Sequence, residues 1–113
     1  MQTAVATTTA VIRQLNDQFR QTLSGGRIVL TPGIMELDES TREELLRQIV
    51  HFHDFNAAND PHGEHDFVAL AINGAHVFVK IDYYSLDLMA GSDDPSDPAR
   101  TTRVMTIMTA EEY

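Results

Sequence analysis

Histidine and carboxylate side chains are concentrated in one short segment of this 113-residue chain. The segment contains His62, Glu64, His65 and Asp66. Imidazole nitrogens and carboxylate oxygens bind divalent metals, and zinc requires three or four such ligands in tetrahedral geometry. His62 and His65 have the spacing of half a zinc site, but no helix is predicted to frame them. Metal binding is therefore an alternative to a structural loop whose side chains cap backbone groups.

Acid–base catalysis is a further alternative for the same segment. A histidine beside a carboxylate can exchange a proton near neutral pH, and Glu64 or Asp82 could act on His65 across the predicted hairpin. The chain contains no cysteine, which excludes disulfides, thiolate catalysis and Cys-ligated zinc. A glycine-rich phosphate loop and a serine nucleophile elbow are also absent from the sequence. We expect no catalytic residues and no cofactor, and keep the metal-dependent or acid–base enzyme as an alternative.

The charge of the chain is strongly acidic and unevenly distributed. The net charge is −9, and residues 36–97 hold fourteen acidic and three basic side chains, hence a local charge of −11. Direct nucleic-acid binding is disfavoured, because it depends on Lys and Arg that neutralise phosphates. The acidic side chains have two possible roles. They keep the protein soluble, or they form a surface that docks on a basic protein partner. The expected docking residues are Glu39, Glu43, Asp82, Tyr84, Asp87, Asp93, Asp94 and Asp97.

Two helices are predicted in the first half of the chain. Apolar side chains recur every four residues over 8–23, which predicts an amphipathic helix ended by the glycine pair 25–26. Ser40, with Glu43 three positions later, has the capping-box pattern and opens a second helix that runs to about Phe55. These helices are expected to cover one face of a sheet.

Strand signals dominate the second half. Asn73-Gly74 favours a type I′ hairpin turn between strands 67–72 and 75–84. The first of these strands is apolar on both faces and is predicted to be central, whereas 103–108 is predicted to be an edge strand. With a short strand at 27–31, the order is α-β-α-β-β-β. The expected fold is α+β, a small antiparallel sheet of about four strands with two helices on one face.

The chain length fits one domain over residues 1–113, with 1–7 as a frayed lead-in. We expect a cytoplasmic protein, because the amino terminus does not resemble a signal peptide and no apolar run reaches the ~20 residues of a membrane helix. Residues 85–102 are predicted to be a long loop, mobile or functional, with a helical turn near 86–89.

A set of short motifs occurs in order from about residue 13 to the end of the chain. The motifs are Asn16-Asp17-x-Phe19-Arg20, Thr31-Pro32-Gly33-Ile34, Asn59-Asp60-Pro61, Glu64-His65-Asp66-Phe67, Lys80-Ile81-Asp82-Tyr83-Tyr84, Asp94-Pro95-x-Asp97-Pro98 and Thr102-Arg103-Val104-x-Thr106-Ile107-Met108 with the carboxyl-terminal Ala110-Glu111-x-Tyr113. Together they resemble an uncharacterised bacterial family, domain of unknown function number three-seven-six-eight. The resemblance implies a fold and a bacterial setting, and it transfers no activity. Members of that family look like small accessory genes that are frequent on mobile elements.

The leading functional hypothesis is a non-catalytic acidic binding protein. By analogy with accessory proteins of mobile elements, it is an inhibitor of the anti-CRISPR or anti-restriction type that blocks a basic nucleic-acid-binding surface. Its expected partner is a protein such as a CRISPR effector or a restriction enzyme, with no direct contact to nucleic acid or membrane. A third hypothesis is a structural accessory protein or a homodimer that pairs through the strand at 103–108.

Overall fold

A computed structural model describes residues 7–113 of the protein. Most of the expected lead-in lies outside the described residues. Thr7 is described, and its hydroxyl accepts a hydrogen bond of 3.1 Å from the Ala10 amide, so it caps the first helix. The elements are α1 (Thr8–Thr22), β1 (Arg27–Leu30), α2 (Pro32–Met35), α3 (Glu39–His51), β2 (Phe67–Ile72), β3 (Ala75–Tyr84), β4 (Thr102–Thr109) and a final 3₁₀ turn (Ala110–Glu112).

The four strands form one mixed sheet in the order β1-β4-β3-β2. The α+β class is confirmed, but the prediction of a purely antiparallel sheet is wrong, because β1 runs parallel to β4 with Ile28 beside Met105. Strands β2, β3 and β4 pair antiparallel. Most of the chain separates β1 from β4, so no local turn signal reports their relative direction.

The positions of β2 and β4 are the reverse of those predicted. Strand β4 pairs with β1 on one side and β3 on the other, so it is central and has no free edge. The proposed homodimer through 103–108 is therefore wrong. Strand β2 pairs only with β3 and forms an edge of the sheet. The Asn73-Gly74 turn is confirmed, with φ of 48° and 81° at its two residues, as a type I′ turn requires.

The helices follow the predicted pattern with shifted ends. Helix α1 stops at Leu23, which has a left-handed φ of 57°. Asp38, rather than Ser40, occupies the N-cap position of helix α3, and its carboxylate accepts hydrogen bonds from the hydroxyls of Ser40 and Thr41. The helix ends four residues before Phe55, because the backbone at Phe52 is extended. The short helix α2 follows β1 after one residue, Thr31.

One face of the sheet carries the core. Alternate side chains of β3 and β4, such as Val77, Val79 and Ile107, are buried there with Phe19 of α1 and Leu45 of α3. Both long helices thus cover this face. The opposite face, here called the open face, carries the remaining side chains of each strand. None of the helices in the described part of the chain is long and apolar enough to cross a membrane.

The chain reverses direction directly after β3. Tyr84 forms an isolated bridge with Gly91, and the Ser85 amide bonds to the Ala90 carbonyl at 2.9 Å. The predicted helical turn near 86–89 is wrong: the segment is a tight reversal with a left-handed Leu88 at φ 64°.

Candidate functional site

A buried polar network joins α1 to the carboxyl end of β3 and the start of β4. At its centre Asn16, which has no solvent exposure, donates to the Tyr83 hydroxyl at 2.7 Å and to the Glu64 carbonyl at 3.0 Å. Its amide oxygen accepts a hydrogen bond of 2.9 Å from Arg103 Nε. Tyr83 in turn donates to the Glu64 carboxylate at 2.6 Å. Since buried polar groups are stable only when bonded, this network fixes how the helix sits on the sheet.

Burial shifts the pKa values of several groups in and next to this network. Burial and, next, the hydrogen bond to Glu64 raise the pKa of Tyr83 far above its ordinary value. Burial also lowers the pKa of Arg103 and raises that of the neighbouring Asp66 carboxyl. Tyr83 therefore stays a neutral hydrogen-bond donor at physiological pH, which is the form that the network needs.

His65 forms a second polar cluster next to the first. Its Nδ1 lies 2.8 Å from the Asp17 carboxylate, and its Nε2 lies 3.5 Å from that of Asp60. The imidazole stacks on Phe55 with 3.7 Å between ring centroids. Asp17 is also paired with the buried Arg20 at 2.9 Å. Both ring nitrogens thus face carboxylates of the protein itself, which favours a role in holding the loop to α1 over proton exchange with a substrate.

The backbone of His65 supports this interpretation. Its φ of 55° is in the left-handed region, which is unfavourable for a non-glycine residue and persists only when the surroundings enforce it. The Asp60 carboxylate accepts the His65 amide at 3.1 Å, and Arg13 of α1 donates to the Gly63 carbonyl at 3.0 Å. The loop is therefore held by side chains that cap backbone groups.

The four residues considered as metal ligands have separate surroundings. Glu64 bonds to Tyr83, and His65 faces Asp17 and Asp60. His62 is exposed, whereas Asp66 is half-buried. Over residues 7–113, no group of three or more His, Asp or Glu side chains is arranged to hold a metal ion.

The eight expected docking residues lie in two separate regions. Glu39 and Glu43 are on α3, whose first turn is bonded to the β2–β3 turn through Asn73 and Thr41 at 2.9 Å. The other six lie at or beyond the opposite end of β3. Asp82 is on the open face, where it pairs with Lys80 at 3.2 Å. The structure therefore does not bring all eight together.

Within the loop after β3, several of the expected docking carboxylates stabilise the loop itself. Asp87 accepts the Ser85 hydroxyl at 2.6 Å and the Met89 amide at 3.0 Å. Asp94 accepts the Ser96 amide at 3.1 Å, and Asp97 accepts the Ala99 amide at 2.9 Å. The hydrogen bond from the Ser85 hydroxyl lowers the pKa of Asp87, and that from the Ser96 hydroxyl lowers the pKa of Asp94. The loop is thus built from Asx-type turns.

Exposed apolar side chains lie in the same loop as these acids. Leu86 and Met89 are 63% and 83% exposed, and the Asp93 side chain is 91% exposed. With Tyr84 and Asp87 they form what we call the loop surface. It borders a shallow groove of about 350 Å³ on the open face, lined by Arg27, Val29, Tyr84, Leu88 and Val104.

Sequence reasoning missed part of both sites. Asn16 and Arg20 were assigned to the polar side of an amphipathic helix, yet both are buried. A periodicity of 3.6 residues separates apolar from polar side chains, and it does not distinguish polar residues that face solvent from those that face a buried partner. The available signal was their presence in the motif Asn16-Asp17-x-Phe19-Arg20. Leu86 and Met89 carried a weaker signal, as apolar residues within an acidic loop.

Comparison with known proteins gives one match. The family described as Protein of unknown function (DUF3768) matches residues 30–112 of the chain. No curated protein and no solved structure matches it.

Proposed function

This chain belongs to the Protein of unknown function (DUF3768) family, and we propose that it is a non-catalytic acidic binding protein that docks on a basic surface of another protein. The proposal rests on one observation above all, the way in which the fold divides its charges. Half of the basic side chains make buried or backbone contacts, whereas nine of the seventeen acidic residues are exposed.

The arginines illustrate this division. Arg20 and Arg103 are 2% and 3% exposed. Arg13 donates to the Gly63 carbonyl, and Arg42 to the carbonyls of Met35 and Leu37. Half of the eight basic side chains are thus committed to buried or backbone contacts. The exposed surface of the protein is correspondingly poor in cations that could offset its acids.

The loop surface is the part best suited to docking. A protein interface combines an apolar, aromatic centre with a polar rim, and tyrosine and methionine are enriched in it. Tyr84, Leu86 and Met89 provide apolar area, while Asp87 and Asp93 provide negative charge beside it. Complementary charge accelerates encounter with a basic partner and makes the binding sensitive to salt.

The finer proposal is that the partner's basic surface normally binds nucleic acid. An acidic protein that covers such a surface competes with the phosphate backbone for the same Lys and Arg side chains. On this proposal, the protein is an inhibitor of the anti-CRISPR or anti-restriction type. It is encoded on a mobile element and acts in the cytoplasm. A CRISPR effector or restriction enzyme has the chemistry expected of the partner.

The test is affinity capture from a bacterial lysate, with tagged protein, at low and high salt. Captured proteins are then challenged with duplex DNA and with single-stranded RNA. We expect a retained nucleic-acid-binding protein that is released by salt and by one of these competitors. Retention that neither salt nor nucleic acid affects would contradict the proposal.

A matched pair of variants locates the surface on the purified partner. Asp87→Asn/Asp93→Asn removes two charges and keeps the oxygen acceptors of the loop. Glu39→Gln/Glu43→Gln removes two charges from α3. We expect the dissociation constant to rise about tenfold, or ~1.4 kcal/mol, for the loop variant only. Equal losses in both variants would show that the net charge, rather than the loop surface, determines binding.

A further inference from the structure

The outer edge of β2 is an unprotected apolar strand. Its sequence, Phe67 to Ile72, contains no charged residue and no proline. An antiparallel strand with one face in water usually alternates apolar and polar side chains, yet β2 is apolar on both faces and has a neighbouring strand on one side only. The opposite edge of the sheet differs, since β1 has only four residues and begins with Arg27. Short length and charge are devices that protect an edge from further pairing, and β2 has neither.

The backbone groups that β2 leaves free can be assigned. The Ile81 amide donates to the Asp66 carbonyl at 2.8 Å, and bonded and non-bonded pairs alternate along an antiparallel ladder. From the observed register, even-numbered residues of β2 bond to β3. The amides and carbonyls of Phe67, Ala69 and Ala71 therefore point away from the sheet, and none of them bonds to another group in the described part of the chain.

We propose that β2 pairs antiparallel with β2 of a second copy of this chain, which joins the two sheets into one of eight strands. A two-fold axis perpendicular to the sheet keeps the core faces of both copies on the same side. Residues that lie directly opposite each other must then be on the same face of the sheet. This requires the two-fold axis to pass through a residue of β2 rather than between two residues. Centring on Ala69 places each Phe67 opposite Ala71 of the other copy. All outward amides and carbonyls of β2 are then bonded.

Side chains on the open face fit this register. Ala69 meets its own copy at the axis, so the centre is free of steric conflict. The ring of Phe67, next to Lys80 in the sheet, is opposite the small side chain of Ala71. Bulky and small residues thus alternate across the junction, which favours close packing of a cross-strand pair.

The net charge of −9 opposes association of two copies, but the β2 edge adds no local repulsion. The paired strands carry no charged side chain. The nearest acid, Asp66, is placed opposite Ile72 of the other copy rather than opposite another carboxylate. The dimer thus brings the two acidic chains together without a like-charge pair in its strands. Screening of the remaining repulsion by salt strengthens the dimer.

The primary measurement is the mass of the wild-type protein by light scattering, from low micromolar to submillimolar concentration and at two salt concentrations. We expect twice the 12.6 kDa of one chain, with a larger dimer fraction at higher salt. Ala69→Lys places two like charges directly opposite each other and should return the mass to that of one chain, with an unchanged circular dichroism spectrum. Val29→Lys, on the opposite edge of the sheet, is the matched control and should remain dimeric.

Crosslinking tests the register directly, because the chain has no native cysteine. Opposed Cα atoms in a bonded antiparallel pair are ~5.5 Å apart, which a disulfide can span. Mild oxidation of Ala69→Cys should give a covalent dimer, and oxidation of Val29→Cys should not. A monomeric wild-type protein over the whole concentration range would overturn the proposal. A dimer that survives Ala69→Lys and does not crosslink at residue 69 would also overturn it.

Discussion

Replacing Asn16 by alanine tests whether the buried network holds the fold together. The change removes three hydrogen bonds, to Tyr83, Glu64 and Arg103, over 2.7–3.0 Å. Two neutral bonds are worth about 1 kcal/mol each, and the bond to the guanidinium is worth about 1.5–3 kcal/mol. The expected loss is therefore about 4 kcal/mol of unfolding free energy, a large share of the ~5–15 kcal/mol typical of a domain.

The assay is urea denaturation followed by circular dichroism, with melting temperature as a second readout. For a chain of this size, a loss of about 4 kcal/mol corresponds to a fall of about 15–30 °C in melting temperature. Gln14→Ala is the control, because Gln14 is an exposed residue of the same helix and alanine favours the helical state. A loss of unfolding free energy below ~1 kcal/mol in Asn16→Ala would refute the structural role of Asn16. It would mean that its buried hydrogen-bond partners can be left unbonded at little cost.

Three further predictions concern close packing, acid stability and the core. Gly26→Ala should lower the unfolding free energy by about 1–3 kcal/mol, because its Cβ would lie 2.5 Å from the Arg103 carbonyl and 2.7 Å from the Phe19 ring; an unchanged urea midpoint would contradict this. The Glu112 carboxylate accepts hydrogen bonds from the Thr31 hydroxyl and from backbone amides, which lowers its pKa from 4.5 to about 2. A lowered folded-state pKa gives stability that is complete above about pH 4.5 and is lost as the pH falls towards 2. Urea midpoints of wild type and Glu112→Gln should therefore differ at pH 7 and converge near pH 2, and a constant difference would exclude this role. Ile49→Ala, at a fully buried position, should cost about 2–5 kcal/mol in the same assay, and a cost below that range would mean that the core closes around the lost side chain.

The parts of the fold that the sequence predicted are those set by local chemistry. The Asn73-Gly74 turn determines its own hairpin, and the apolar repeat over 8–23 determines α1. The parallel pairing of β1 with β4 depends on contacts between segments about 75 residues apart, which no turn residue encodes. For this reason the order of the strands was predicted incorrectly, while their existence was predicted correctly.

The misassignment of β2 as central has a physical basis. Apolar side chains on both faces of a strand indicate that both faces are covered. They do not identify the element that covers each face. In the chain, β2 contacts α3 and lies at the edge of the sheet. The prediction of a central strand is therefore wrong, and the free edge of β2 is where our proposal places a second copy.

The sequence identified residues of the candidate site, but it did not predict which of them are in contact. The acid–base alternative placed Glu64 or Asp82 beside His65, yet His65 faces Asp17 of α1 and Asp82 pairs with Lys80. A carboxylate forty-eight residues away in sequence reaches the imidazole because α1 lies across the end of the sheet. That placement follows from the packing of the helix and is not encoded in the loop motif.

The location of the motif residues determines which mutants can report on function. Asn16, Glu64, Tyr83 and Arg103 come from different motifs and meet in one buried network, so changes to them act first on the stability of the fold. A loss of partner binding in such variants is explained by unfolding unless the folded fraction is measured. Asp93 is different, because its carboxylate is exposed and lies 4.0 Å from Arg100. Exposed ion pairs at that distance contribute little to stability, so a loss of binding in Asp93→Asn would report on the docking surface itself.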